Sequence, residues 1–350
     1  MQPAPVPNPL PAFVPLDLQD FRRRRNAPEP TARFHAAGKG FILPPMSLPA
    51  NPRAILDRQQ LIAGLAELRA RKLPTEDRAA AALALYRGAL DGGRAEVRRR
   101  FMDGQDGAAA HTGNAFVIDQ IIRTLYEDAL ETAFPPDGEQ PRPFLCVMAV
   151  GGYGRAALAP FSDIDLLFLQ GGAEQILPGP ARRLTEAILY PLWDLGLKVG
   201  HSVQTLDSAM EAARQDLTLC TAFLESRRIA GDRGLAAAFA DAFERRIRTA
   251  GDMDFATGKL AERDTRHRKT GDARYVLEPN LKEGKGGLRD LQTLCWIGGF
   301  LYRAPTAPAL AARGVLTTRE ADLFQRAARF FMTLRCHLLP DRPGGRPYHL

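Results

Sequence analysis

Two carboxylates two positions apart, Asp163 and Asp165, flank Ile164 in the apolar run that continues through Leu169 of a 350-residue chain. On a β-strand such residues share one face. A pair of carboxylates in a largely buried strand is costly unless a cation neutralises it, and a hard, oxygen-seeking ion is the natural partner. Just upstream, the apolar segment Phe144–Val150 runs into Gly151, Gly152, Tyr153, Gly154 and Arg155, a turn whose bare backbone lets a ligand approach closely. Strand, glycine turn, polar stretch and Asp-x-Asp strand together point to a nucleoside triphosphate held as its magnesium complex. In that arrangement Asp163 and Asp165 are the catalytic metal ligands. Gly151, Gly152 and Gly154 offer amides to the phosphates, Arg155 offsets charge on the leaving group, and Ser162 adds a donor near the metal. Manganese suits the same oxygen donors. Neither a Gly-x-x-x-x-Gly-Lys-Ser/Thr loop nor a dinucleotide fingerprint competes.

A second cluster lies more than a hundred residues downstream. Lys282, Lys285 and Arg289 alternate with Gly284, Gly286 and Gly287, a flexible cationic loop suited to a triphosphate or an acidic partner. An apolar helix is expected to follow it over Leu288–Leu301. For a base, His201 is the one candidate on the strand after the aspartates.

At these residues the chain resembles the nucleotidyltransferase superfamily related to DNA polymerase β, whose signature is a glycine pair followed by Asp-x-Asp on the next strand. Within it, Gly196–Leu206, Asp216–Arg227 and Leu277–Gln292 are similar to the uridylyltransferases that modify the nitrogen-regulatory protein PII, so the resemblance covers roughly residues 50 to 340. It implies an α+β fold with a small mixed-sheet nucleotidyltransferase core flanked by helical modules. It further implies transfer of UMP from UTP to a tyrosine of PII, with release of pyrophosphate. Nothing in the glycine turn or the aspartate pair reads uracil, and that assignment belongs to the resemblance. The runner-up readings are a nucleotidyltransferase with another nucleotide or acceptor, and a nucleotide-binding regulatory module without turnover. Where many relatives carry a third carboxylate, this chain has Gly200, His201 and Ser202, leaving Asp216, Glu225 or no residue for that role. In the resembled family a His-Asp phosphohydrolase and glutamine-sensing domains follow. None of the six histidines here precedes an aspartate, so transfer without uridylyl removal is expected.

The elements that must position these residues follow from pattern and composition. With 45% hydrophobic residues the chain can bury a sizeable core. Residues 1–50 are proline-rich and read as an extended or disordered arm. Residues 51–140 carry helical periodicity. Residues 141–232 hold the strands and a helix over Ala181–Leu195, the catalytic core, and 233–350 form a helical C-terminal module. No run reaches the roughly twenty apolar residues of a membrane span, and no leader pattern opens the chain, so the expected location is the cytoplasm. The four cysteines are dispersed in apolar surroundings and read as core residues. A net charge of +7 raises nucleic-acid binding, but the arginines are interspersed with acids, and nucleic acid is not the expected partner.

Overall fold

The computed structural model describes residues 48–134, 143–171, 179–249, 254–270 and 280–338. The expected N-terminal arm lies outside them except for its last three residues. A mixed four-stranded sheet forms the centre, with β1 (Leu145–Ala149), β2 (Ile164–Gln170), β3 (Val199–Thr205) and β4 (Arg227–Gly231) in the order β3-β2-β1-β4. β1 pairs antiparallel with both β2 and β4, whereas β2 and β3 run parallel. The expected α+β architecture is borne out.

Four helices precede the sheet: α1 (Pro52–Ile55), α2 (Arg58–Ala70), α3 (Thr75–Met102) and α4 (Gly107–Ala133). Asp57 and Asp106 cap α2 and α4 by accepting from the amides of Gln59 and Ala109, each satisfying a donor at a helix start. A single turn, α5 (Gly151–Gly154), follows β1, and α6 (Gly179–Asp194) carries the chain from β2 to its parallel neighbour β3. Beyond β3 come α7 (Leu206–Gln215), α8 (Leu217–Leu224) and, after β4, α9 (Arg233–Phe243), which continues into a π-turn, Glu244–Arg248. The C-terminal helices are α10 (Phe255–Thr270), α11 (Leu288–Tyr302), α12 (Ala307–Ala312) and α13 (Thr318–Leu338).

The apolar run of β2 is explained by burial on both faces. Ile164, Leu166 and Phe168 join one cluster with Val147, Ile121, Ile122, Leu184 and Ile188, so the N-terminal helices and α6 cover that face. Leu167 and Leu169 join a second cluster with Met148, Phe223, Phe239, Phe243 and Trp296, so the later helices cover the other. The sheet is thus the middle of three layers. Each fully buried Leu or Phe contributes about 1.5–3 kcal/mol relative to exposure, which makes β2 a rigid platform for what sits at its start. The helices before residue 134 share one core with the sheet. No helix among the described residues is long and apolar enough to cross a membrane.

Candidate active site at the mouth of the sheet

Asp165 is the second residue of β2 and points to the same face as Leu167 and Leu169. The helical cover over that face stops short of it, and both Asp165 and Asp163 are exposed. Asp163 precedes the strand, which begins at Ile164. The expectation of two carboxylates buried inside a strand is therefore corrected. The neighbouring apolar residues are buried, but beside Asp165 the structure places glycines, which cover nothing. Gly200 is its register partner on β3. A Cβ on Gly200 would stand 2.7 Å from Asp165 Oδ1, and one on Gly151 would stand 3.6 Å from Oδ2. Gly200 thus leaves the space the carboxylate fills, while Gly151 lies in ordinary contact distance on its other side. Partial desolvation, and then the charge of Asp163, raise the Asp165 pKa, against the pull of Lys282.

The turn that brings Gly151 here is unusual backbone. Gly151 has φ 56°, and Ala156 and Phe161, each at φ 57°, repeat the left-handed conformation in the loop down to Asp163. For the two non-glycine residues this costs on the order of 1–3 kcal/mol each, so the surroundings must hold them. As the first residues of a helical turn, Gly151 and Gly152 lack intrahelical acceptors for their amides. Gly154 differs. Its amide donates to Val150 O at 3.0 Å, and a Cβ there would lie 1.9 Å from Glu225 O. Its missing side chain serves packing, and its amide is not free for phosphate.

A buried network that sequence reasoning missed holds this turn from below. Asp119 on α4 accepts from Tyr153 Oη at 2.7 Å and from both Nη atoms of Arg227, at 2.6 and 2.8 Å. Arg227 also donates from Nε to Gly154 O at 3.2 Å. Burial works against the Arg227 charge, but the Asp119 carboxylate more than offsets it and raises the pKa; burial and then Asp119 raise that of Tyr153.

From above, the glycine–lysine loop folds over the carboxylates. Asn280 Oδ1 accepts from the amides of Lys282 and Glu283 at 2.9 and 2.8 Å, an Asx turn that aims Lys282 inward. Residues 277–279 of the same motif lie outside the described residues. Lys282 lies within electrostatic reach of both Asp163 and Asp165. Burial and then Arg289 lower its pKa. Arg289 donates to Glu283 Oε1 at 3.2 and 3.0 Å and lies 5.3 Å over the Trp296 ring. Lys285 is exposed, and Ser162 is partly exposed between Phe161 and Asp163.

Arg155 follows the glycine turn but pairs with Glu225, a carboxylate buried to 3% exposure that also accepts from Trp296 Nε1 at 2.5 Å. Glu225 is thereby spent as an anchor. Asp216 is spent too, capping α8 through the amides of Thr218 and Leu219. Neither is placed as a third metal ligand, and among the described residues no group of three His, Cys, Asp or Glu converges. His201, one position after Gly200, projects from the opposite face of β3 and packs its ring 5.7 Å from Trp193, which removes it as a base acting beside Asp165. The donor set, two solvent-open carboxylates facing a cationic loop, fits a divalent ion that completes its shell with phosphate oxygens and water.

A family model described as GlnD PII-uridylyltransferase matches residues 254–340, the segment that carries Lys282, Arg289 and Trp296. Curated relatives extend the likeness over most of the chain. Proteins named bifunctional uridylyltransferase/uridylyl-removing enzyme are 45% identical over 84% of the chain in Rhodospirillum rubrum, 43% over 83% in Novosphingobium aromaticivorans and 44% over 82% in Azospirillum brasilense. The chain spans 32%, 31% and 30% of their respective lengths. The resemblance expected from the motifs is thus borne out.

Proposed function

From a chain akin to about a third of the bifunctional uridylyltransferase/uridylyl-removing enzymes, we propose that these residues form a uridylyltransferase site that moves UMP from UTP to a tyrosine of a PII protein. The observation that carries the reading is Asp165 standing between Gly151 and Gly200 with Lys282 facing it. Carboxylates, bare amides and a lysine converge where a magnesium–triphosphate complex needs them.

The tyrosine oxygen attacks the α-phosphorus of UTP, the bond to the bridging oxygen of pyrophosphate breaks, and the phenolic proton leaves to solvent or a substrate oxygen. Asp163 and Asp165 would hold magnesium or manganese, which supplies Lewis-acid polarisation of the phosphates and lowers the pKa of a bound hydroxyl. Gly151 and Gly152 donate amides to the phosphate chain. Lys282 neutralises charge that grows on pyrophosphate as the bond breaks. Arg155, tethered by Glu225, supports the turn from its edge.

The test is incubation of the chain with a PII protein, magnesium and each ribonucleoside triphosphate, read by intact mass. A UMP adduct is expected, and Asp165→Asn should slow its formation about a thousandfold, since losing a ligand charge removes several kcal/mol of transition-state stabilisation. An adduct with another nucleotide would overturn the uracil assignment. Triphosphate binding with no adduct would favour the second reading, a nucleotide-binding module, which the engagement of both Asp216 and Glu225 elsewhere supports.

A further inference from the structure

Helix α13 brings a charge to this site that no carboxylate among the described residues pairs with, Glu283 acting on it only through space. Arg335 Nε is buried without a hydrogen-bond partner, and its guanidinium forms no ion pair among the described residues. The contrast with its neighbours is chemical. Arg155 has Glu225, Arg289 has Glu283, and Arg227 has Asp119. Among the described residues, Arg335 and Lys282 alone of this group go without a carboxylate within salt-bridge distance.

Arg335 is also held in place. The Gly107 amide donates to Thr333 Oγ1 at 2.9 Å, and a Cβ on Gly107 would come within 2.2 Å of the Thr333 backbone, so α13 touches the start of α4 with no room to spare. The rings of Phe101 and His337 meet at 4.7 Å, and Cys336 packs on the main core. Residues on both sides of Arg335 are therefore docked. The guanidinium lies within electrostatic reach of Arg155, Arg289 and Lys282. Burial first, with Arg289 and Arg155 adding to it against Cys336 and Glu283, lowers its pKa.

A second unpartnered group lies nearby. His111 on α4 is 2% exposed, and its Nε2 has no hydrogen-bond partner. Burial and then the charges of Arg335 and Arg155 push its pKa down to about 3. Its carbonyl accepts from the Leu158 amide at 3.3 Å, tying it to the loop after the glycine turn. A half-buried cation whose Nε is buried and unpartnered among the described residues, beside an unpartnered imidazole, is costly unless an anion completes it.

We propose that Arg335 and Lys282 form a polyphosphate-binding wall opposite the carboxylate pair, and that the anion completing it is the β,γ end of a nucleoside triphosphate or free pyrophosphate. This rests on the nucleotide reading of the site and names the residue that grips the leaving group. The planar guanidinium fork suits phosphate oxygens. It reaches the site from the C-terminal module, so α13 must be docked on α4 for the wall to be complete.

The test is calorimetric binding of inorganic pyrophosphate and of UTP, each with magnesium, to the 350-residue chain and to Arg335→Gln and Arg335→Lys, with Tm measured in anion-free buffer. Arg335→Gln should weaken both ligands at least tenfold, while its anion-free Tm holds or rises because an uncompensated charge is gone. Arg335→Lys should recover part of the affinity, and pyrophosphate should raise the Tm of the unaltered chain more than that of Arg335→Gln. Undiminished pyrophosphate and UTP affinity in Arg335→Gln would overturn the proposal. So would a fall in its anion-free Tm that Arg335→Lys fully repairs, with affinity per folded molecule unchanged, which marks a structural arginine. Arg335-dependent pyrophosphate binding with no UTP binding would uphold the wall and defeat the nucleotide reading instead.

Discussion

The glycine turn lies between two charged regions built on opposite principles. Beneath it, Asp119, Tyr153 and Arg227 are buried with their charges and hydroxyl matched at 2.6–2.8 Å. Above it, Lys282 and Arg335 have no carboxylate within salt-bridge distance among the described residues, and burial lowers the pKa of both. The lower network has nothing left to offer a ligand, so its role is to hold the turn. The upper pair holds nothing and has charge to give. A polar group satisfied within the fold specifies position, and one left unsatisfied specifies a partner.

Breaking the lower region should have the largest effect on stability. Arg227→Met leaves the Asp119 carboxylate, at 0% exposure, with only Tyr153 Oη and the part-exposed Arg123 guanidinium 3.7 Å away, and removing the main partner of a buried charge costs up to about 3–5 kcal/mol. Removing both charges, with Asp119→Leu added, should restore much of that loss, because a buried pair replaced by apolar groups is often neutral. Urea unfolding of the two variants measures it. If the single variant loses less than about 1 kcal/mol, comparable to an exposed pair, the lower network is not the anchor described here.

Gly200→Ala sharpens the comparison from the catalytic side. The added methyl would meet Asp165 Oδ1 at 2.7 Å, and the carboxylate, the far end of a flexible side chain, is what would yield. Displacing a catalytic group by about 1 Å can cost roughly a hundredfold in rate. We expect that loss in kcat with Tm changed by no more than about 2 °C, since the strain relaxes toward solvent at an effect below 1 kcal/mol. Equal losses in stability and rate would mean that Gly200 serves β3 packing and not the position of Asp165.

How much of this was legible in the sequence depends on distance along the chain. Gly151, Asp163 and Asp165 fall within fifteen residues, and their types and order carry the chemistry locally. The strands on either side of the glycine turn and the helices over Ala181–Leu195 and Leu288–Leu301 were legible for the same reason, because apolar periodicity is local. The helix expected over Leu288–Leu301 is found at Leu288–Tyr302. Asp119, Arg227 and Arg335 were not legible. Each matters through a partner from a distant element, as Asp119 and Arg227 lie 108 residues apart. An arginine that answers a buried carboxylate looks the same in sequence as the many that coat helices. Asp165 was read as buried because an apolar strand surrounds it. That the strand begins at Ile164, with Gly200 beside its second residue, is a register fact that no single segment contains.

His111 links the two regions and gives the smallest effect. Its pKa of about 3 in the folded chain lies below the ordinary value of 6.5, so between those limits the unfolded chain binds the proton more readily. Its contribution to stability is therefore complete above pH 6.5 and drains as pH falls toward 3, at up to about 1.4 kcal/mol per unit. Compared with His111→Gln, the unaltered chain should lose about 1 kcal/mol more between pH 7 and pH 5.5. The stability difference between the two should be flat above neutrality. Arg335 and Arg155 are among the causes of the depression, so pyrophosphate bound at the wall should raise the His111 pKa and reduce the extra loss. An imidazole titration by NMR, with and without pyrophosphate, separates this from burial alone. A His111 pKa that ignores the anion would place the imidazole outside the field of the wall and leave burial as the cause of its depression.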